Sequence, residues 1–96
     1  MNRTNREYRD LFDNLPPSVQ ERARKAFKLF EKNPNDPYLS KHPLDDTAHN
    51  PPSSFSVRID RQYRAVAFTD PEGSNIWYWI GIHHDYDRKF KRGRRH

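Results

Sequence analysis

The sequence predicts an α+β domain, an N-terminal helical hairpin packed on one face of a small antiparallel β-meander. Three observations predict it. Two apolar stripes at helical spacing occupy residues 8 to 30, separated by a short break. Three segments of strand character follow between residues 54 and 83, joined by short turns. The order α-α-β-β-β, without internal repeats, places helices on one face of one sheet.

Each element has its own signal. Thr4-Asn5-Arg6-Glu7 has capping-box spacing, with Thr4 as N-cap. Tyr8, Leu11, Phe12 and Leu15 then form one helical stripe, which Pro16-Pro17 ends. Ser18-Val19-Gln20-Glu21 is a second capping box, and Val19, Ala23, Ala26, Phe27 and Phe30 form the stripe of a helix reaching about Lys32. Residues 33 to 54 hold five of the eight prolines and read as a long irregular loop, pinned by Tyr38, Leu39 and Leu44. From Ser54 to Ile59, Phe55, Val57 and Ile59 alternate with Ser54, Ser56 and Arg58. Tyr63 to Thr69 is the second strand, Asp70 to Ser74 a turn, and Asn75 to His83 the third strand, with apolar residues on both faces. Strict alternation along it puts Trp77, Trp79 and His83 on one face.

Ninety-six residues make one domain, expected over residues 1–87, followed by a basic, mobile C-terminal tail over 88–96. Leu, Ile, Val and Phe total only 18, but thirteen aromatic residues supply a core. Six of the 18 cations lie in the tail; residues 1–87 carry 12 cations and 13 anions, a net of −1. The tail therefore favours phosphate-rich partners, with salt-sensitive binding. The absence of cysteine excludes disulfides, thiolate metal sites and a cysteine nucleophile. No apolar run approaches the roughly 18 residues of a membrane span, and Met1 to Thr4 lacks the apolar stretch of a signal peptide, so the expectation is a cytoplasmic protein with no membrane contact.

Chemistry concentrates around two groups. Arg58, Arg61 and Arg64 lie on or between two adjacent strands, and His83, His84 and Tyr86 follow the third. Arginine suits bidentate phosphate binding, and histidine exchanges a proton near neutral pH. Together they suit phosphodiester chemistry, with cations on the phosphate and a His or Tyr moving protons. Arg64, His83 and Tyr86 are the candidate catalytic residues; Arg58, Arg61 and His84 are the candidate substrate-binding residues. A metal site is not expected. His83 to Asp87 holds ligand types, but neighbours on a strand point to opposite faces and no distant ligand set completes them. No cofactor is expected, and no Gly-x-Ser-x-Gly element supports serine hydrolysis.

These residues resemble a family. Leu15-Pro16-Pro17-Ser18-Val19-Gln20, Ala23, Phe30 and Asn33-Pro34 are similar to the helical hairpin of the RelE/ParE superfamily of bacterial type II toxins. Ser56-Val57-Arg58-Ile59 and Tyr63-Arg64-Ala65-Val66 resemble its central hairpin. Trp79-Ile80-Gly81-x-His83-x-x-Tyr86-Asp87 is similar to the end motif of the HigB/RelE-like branch and is the most specific match. The likeness runs from about Tyr8 to Asp87. Two departures stand out: Met1 to Arg3 is too short for the family's first strand, leaving that strand missing or reduced, and the Pro-rich loop at 43–52 replaces a tighter turn.

The resemblance implies a RelE-like toxin neutralised by a cognate antitoxin. In the RelE and HigB branches it implies a metal-independent endoribonuclease acting on mRNA at the ribosome, an mRNA interferase that inhibits translation and arrests growth. Arg64 matches the family's strand arginine, His83 and Tyr86 match the end motif, and Arg58 lies near the family's basic strand positions. Arg61 and His84 match no family position and rest on their place beside the cluster. The alternatives are a ParE-like inhibitor of DNA gyrase without nuclease chemistry and an inactive antitoxin-binding relative, because a fold does not set a function.

One geometric question decides whether Arg58 and Arg64 can serve one phosphate. A two-residue loop, Arg61-Gln62, puts them on opposite faces and gathers Phe55, Val57, Ile59, Val66 and Phe68 on one side. A three-residue loop, Asp60-Arg61-Gln62, sets Arg58 directly across from Arg64, with a left-handed Gln62 and two like charges face to face. Burial favours the first and the family resemblance favours the second, which is the register expected.

Overall fold

The computed structural model describes residues 1–44 and 50–90. In chain order it contains β1 (Asn2–Thr4), α1 (Arg6–Asp13), α2 (Pro17–Lys32), a 3₁₀ turn (Pro37–Leu39), β2 (His42–Pro43), β3 (Ser54–Arg58), β4 (Tyr63–Thr69), β5 (Asn75–Ile82) and α3 (His83–Phe90). The sheet runs β1-β5-β4-β3-β2. The meander β3-β4-β5 is antiparallel, as expected, and β2 extends it antiparallel. β1 joins β5 in parallel, so the sheet is mixed and the fold remains α+β.

The helices begin where local chemistry satisfies their first amides. Asn5, not Thr4, caps α1: its side-chain oxygen accepts from the Tyr8 amide at 2.9 Å. Thr4 is drawn into β1 instead, opposite Trp77. α2 starts at Pro17 with no side-chain cap, so the second capping box does not form; a proline at the first helical position has no amide to satisfy. α1 stops at Asp13, ahead of Leu15.

The first strand, expected to be missing or reduced, is present in reduced form as the three residues Asn2–Thr4. Asn2 and Arg3 pair with Asn75 and Ile76, the Asn75 amide donates to the Met1 carbonyl at 2.8 Å, and the Asn5 amide to the Trp77 carbonyl at 3.0 Å. The Asn2 side-chain oxygen accepts from Asn75 Nδ2 at 3.1 Å and the Trp77 indole at 3.2 Å. The N-terminal arm therefore covers the β5 edge, which would otherwise present unpaired backbone. The 33–54 segment is also more regular than expected. Asp36 caps the 3₁₀ turn by accepting from the Tyr38 amide, Leu39 is fully buried, and His42 and Pro43 pair with Ser56 and Phe55. Residues 45–49 of the Pro-rich loop lie outside the described residues.

The core has two layers. Between α1, α2 and the sheet, Trp77 is the hub: its ring meets Phe27, Phe30 and Phe55 edge-on at 5.2–5.7 Å. The opposite face holds Val66, Trp79, Tyr78, Tyr86 and Phe90. A β-bulge divides the two tryptophans. Val66 pairs with Trp79 but Ala67 with Trp77, so Tyr78 is an extra residue. Tyr78 and Trp79 therefore pack on one face, and Trp77 and Ile80 on the other. The expectation that Trp77 and Trp79 share a face fails because the alternation breaks at Tyr78.

α3 corrects the expected one-sided layering. The third strand ends at Ile82, and His83 to Phe90 form a helix over the second face, where Phe90 packs on Tyr78, Trp79 and Tyr86. The boundary expected after Asp87 falls within this helix. Of the basic tail, residues 88–90 belong to α3 and 91–96 lie outside the described residues.

Candidate functional site

The site is built on the β3-β4 hairpin. Arg58 pairs with Arg64, Val57 with Ala65, and the Ile59 amide donates to the Tyr63 carbonyl at 3.0 Å. The loop is thus Asp60-Arg61-Gln62, and the two arginines share a sheet face. Asp60 makes the loop possible. Its Oδ1 accepts from the Gln62 and Tyr63 amides at 2.8 and 2.9 Å, closing the turn as an Asx motif. Gln62 needs no left-handed backbone: among described residues positive φ occurs only at Ser40, Ser53 and Gly73.

Two contacts separate the like charges. Arg64 Nη1 donates to the carbonyls of Asp60 and Tyr63 at 2.8 and 3.0 Å. The Arg58 guanidinium lies 5.3 Å from the Tyr38 ring centroid, and its Nε is buried without a hydrogen-bond partner. Cα partners across an antiparallel ladder hold their Cβ atoms about 5 Å apart, so both side chains start from one spot and diverge at their tips.

α3 brings the remaining groups to this face. The His83 amide donates to the Gln62 carbonyl, which joins the start of α3 to the hairpin tip. His83 Nε2 lies 3.1 Å from Asp87 Oδ2, one helical turn on, while its Nδ1 is buried without a hydrogen-bond partner. Its ring centroid is 5.9 Å from that of Tyr86. Tyr86 is only 1% exposed, and its phenol donates to Ser56 Oγ at 3.0 Å. Burial raises the Tyr86 pKa above 10; the Ser56 hydrogen bond and the Arg64 charge oppose this, and Asp87 adds to it. The phenol therefore stays protonated at neutral pH. A parallel pair lies beside it: the hydroxyls of Ser54 and Tyr78 are 2.9 Å apart, and burial likewise raises the Tyr78 pKa.

The structure thus gathers Arg58, Arg64, His83 and Tyr86. Arg61 sits exposed at the hairpin tip, beside Arg22 and Gln62, and His84 is exposed on the first turn of α3. Each is the sequence neighbour of the Gln62–His83 junction. Among the described residues no three His, Cys, Asp or Glu side chains gather as metal ligands. Sequence reasoning missed Ser56, Asp60, Tyr38 and Asp87. An Asp opening a three-residue loop was a visible signal for Asp60. An Asp four residues after a His was one for Asp87, once the segment is helical. Nothing local marks Ser56, because its partner is 30 residues away.

No family model and no curated relative matches the chain in sequence. Solved structures do match in shape. YafQ from E. coli strain BL21(DE3) superposes with a TM-score of 0.69 at 8% identity, over 90% of this chain and 96% of that one. The toxin–antitoxin complex RelBE2 from Mycobacterium tuberculosis gives 0.67 at 20% identity, over 86% and 96%. The YoeB/ParE toxin from Agrobacterium tumefaciens gives 0.66 at 13% identity, over 85% and 96%. The match takes in nearly all of each neighbour. At these identities the likeness is one of architecture, and the chain has the fold of the RelE/ParE-like type II toxins.

Proposed function

We propose that this protein is the toxin of a type II toxin–antitoxin pair, an endoribonuclease that cuts mRNA on the ribosome. The observation that carries the proposal is the Arg58–Arg64 pair on the sheet face that also holds His83 and Tyr86. Two adjacent cations on one face match a phosphodiester better than they match any structural need, since like charges face to face cost stability. The shape neighbours, among them toxin–antitoxin complexes, support the same reading and a cognate antitoxin as partner. Among the described residues no helix is long and apolar enough to cross a membrane; the site of action in this reading is the cytoplasm.

The chemistry follows from the groups present. Arg64 holds the scissile phosphate and takes up charge as the transition state forms, and Arg58, its cross-strand partner, adds a second cation from the Tyr38 side. His83 accepts the proton of the RNA 2′-hydroxyl, whose oxygen bonds to phosphorus, at Nε2, which exchanges Asp87 for the substrate. The bond from phosphorus to the 5′ oxygen breaks and water protonates that oxygen, while Tyr86, buried beside the His83 ring and bonded to Ser56, positions that ring without touching the RNA. The products are a 2′,3′-cyclic phosphate and a 5′-hydroxyl. Arg61 and His84 flank the hairpin–α3 junction and add affinity for the strand.

Induced expression followed by mapping of mRNA ends tests the proposal. The expected result is growth arrest with cut transcripts, abolished in Arg64→Ala and His83→Ala at equal protein level. Arrest with gyrase-dependent DNA damage and intact transcripts would replace it with the gyrase reading. Toxicity unchanged in both variants would remove the site assignment.

A further inference from the structure

Tyr38 is the exposed aromatic residue next to the arginine pair. It is 45% exposed, its hydroxyl donates to the Ile59 carbonyl at 2.9 Å, and its ring carries the Arg58 guanidinium. With the phenol tied to backbone, the side chain presents its ring. It stands at the end of β3 that β2 does not cover, since β2 pairs only with Phe55 and Ser56. The ring forms one wall of a cleft of about 230 Å³ against α2. Ala26, Leu29 and Ile59 give the cleft an apolar lining, and Arg22 and Lys25 stand beside them. A second cavity shares Arg22 and leads to Arg61 and Gln62 at the hairpin tip.

The size is informative. The cleft holds several times the ~30 Å³ of one water but falls short of the roughly 300–1,000 Å³ of a small-molecule pocket. One planar ring system fits that description. An aromatic wall backed by a guanidinium, an apolar lining and adjacent cations are the features that take an unstacked base and its phosphate. Arg22 meets Asp60 at 3.2 Å, but its own side chain is half exposed, which leaves guanidinium donors free for a phosphate.

We infer that this cleft is a nucleobase subsite: an unpaired base of single-stranded RNA stacks on Tyr38, with its phosphate at Arg22 and Lys25. The inference rests on the RNA reading above and extends it to the strand next to the scissile phosphate. Arg58 links the two sites. Its position on β3 puts it opposite Arg64, and its guanidinium lies on the Tyr38 ring, so the occupied cleft sets the register of the strand over the arginine pair.

The test uses the full chain and ribosomes programmed with a short mRNA. The cleavage position is first mapped as above, and its 2′-hydroxyl is then replaced by hydrogen to prevent turnover. Binding of labelled protein is compared between this mRNA and copies with one abasic nucleotide at each flanking position. At one position the abasic copy is expected to bind roughly 5- to 150-fold more weakly, the range of one base–aromatic stack. Tyr38→Ala should lose the same factor on the intact mRNA and become indifferent to the abasic copy, whereas Tyr38→Phe should behave as wild type. Equal binding of all abasic copies by the wild type overturns the subsite without requiring any variant to fold. So does a Tyr38→Ala variant that binds RNA normally but no longer binds its antitoxin, which would assign the cleft to a protein partner. If Arg64→Ala still weakens binding in those cases, the RNA reading stands and only the subsite falls. Absence of any binding by the wild type overturns both.

Discussion

Arg58 and Arg64 are direct cross-strand partners on the face that α3 covers. Facing like charges destabilise a ladder by a fraction of a kcal/mol. The hairpin accepts this because Asp60 and Tyr63 carbonyls hold one guanidinium and the Tyr38 ring the other. A double-mutant cycle of Arg58→Ala and Arg64→Ala should therefore return a repulsive coupling of about a few tenths of a kcal/mol at low salt, shrinking as salt is added. Arg64→Ala should at the same time lower RNA cleavage by about 100-fold or more. An attractive coupling would show that the pair is structural.

Tyr86 and Ser56 should behave as a unit. Tyr86→Phe leaves a buried serine hydroxyl without its donor and should cost about 1–3 kcal/mol by denaturant unfolding. Adding Ser56→Ala should cost much less than the sum of the two single changes. Cleavage should fall to a similar extent in Ser56→Ala and Tyr86→Phe, since either change removes the bond that holds Tyr86 beside the His83 ring.

Alkaline pH should unfold the protein through its buried phenols. Burial pushes Tyr8 up from 10.0 to about 12 and raises Tyr78 and Tyr86. Below pH 10 each phenol is protonated in both states, and the stability is fully present. Above it the unfolded chain ionises first, so stability falls until the folded pKa is passed. Tyr8 alone accounts for up to about 3 kcal/mol between pH 10 and pH 12. Melting temperature against pH should drop over that interval, and Tyr8→Phe should flatten the drop.

Asn2→Ala should destabilise out of proportion to its place at the chain's edge. Its side chain accepts from the Trp77 indole, and Trp77 is buried at the centre of the helix-side core. Leaving that N–H unpaired should cost about 1–3 kcal/mol. Amide exchange of Asn75 to Trp77 should accelerate together with it. Unchanged exchange in this variant would mean that β1 pairing does not depend on Asn2.

Gly81→Ala should disturb the site through Trp79. A Cβ at Gly81 would lie 2.7 Å from Trp79 Cη2 and 2.8 Å from Cζ2, and Gly81 pairs with Arg64. The ring would have to move, at a cost of about 1–3 kcal/mol. A shift in tryptophan emission and a fall in cleavage should accompany the loss of stability.

Local periodicity was sufficient for α1, α2, β3 and β4, because their determinants are side chains within a few residues of one another. The register of the 60–62 loop was legible only as two alternatives. Burial pointed to the two-residue loop, but the Asp60 carboxylate, by closing the turn on two amides, settles the longer one. The four charged or aromatic residues of the site were visible by type. Their supports were not: Ser56 and Tyr38 reach the site only across the fold.

What the sequence determined alone was the pair of amphipathic helices, the two alternating strands and the turn at Asp70 to Gly73, all set by neighbours in the chain. The tertiary structure decided the rest. β1 exists because Asn2 finds side chains 73 and 75 residues away. The bulge at Tyr78 follows from the need of both sheet faces for a large aromatic, and no period in the chain announces it. His83 to Phe90 turn from a strand's end into a helix because Tyr86 and Phe90 can bury themselves only against the second face of the finished sheet. Partners far apart in sequence must be brought together before their interaction offsets the entropy of closing the chain between them.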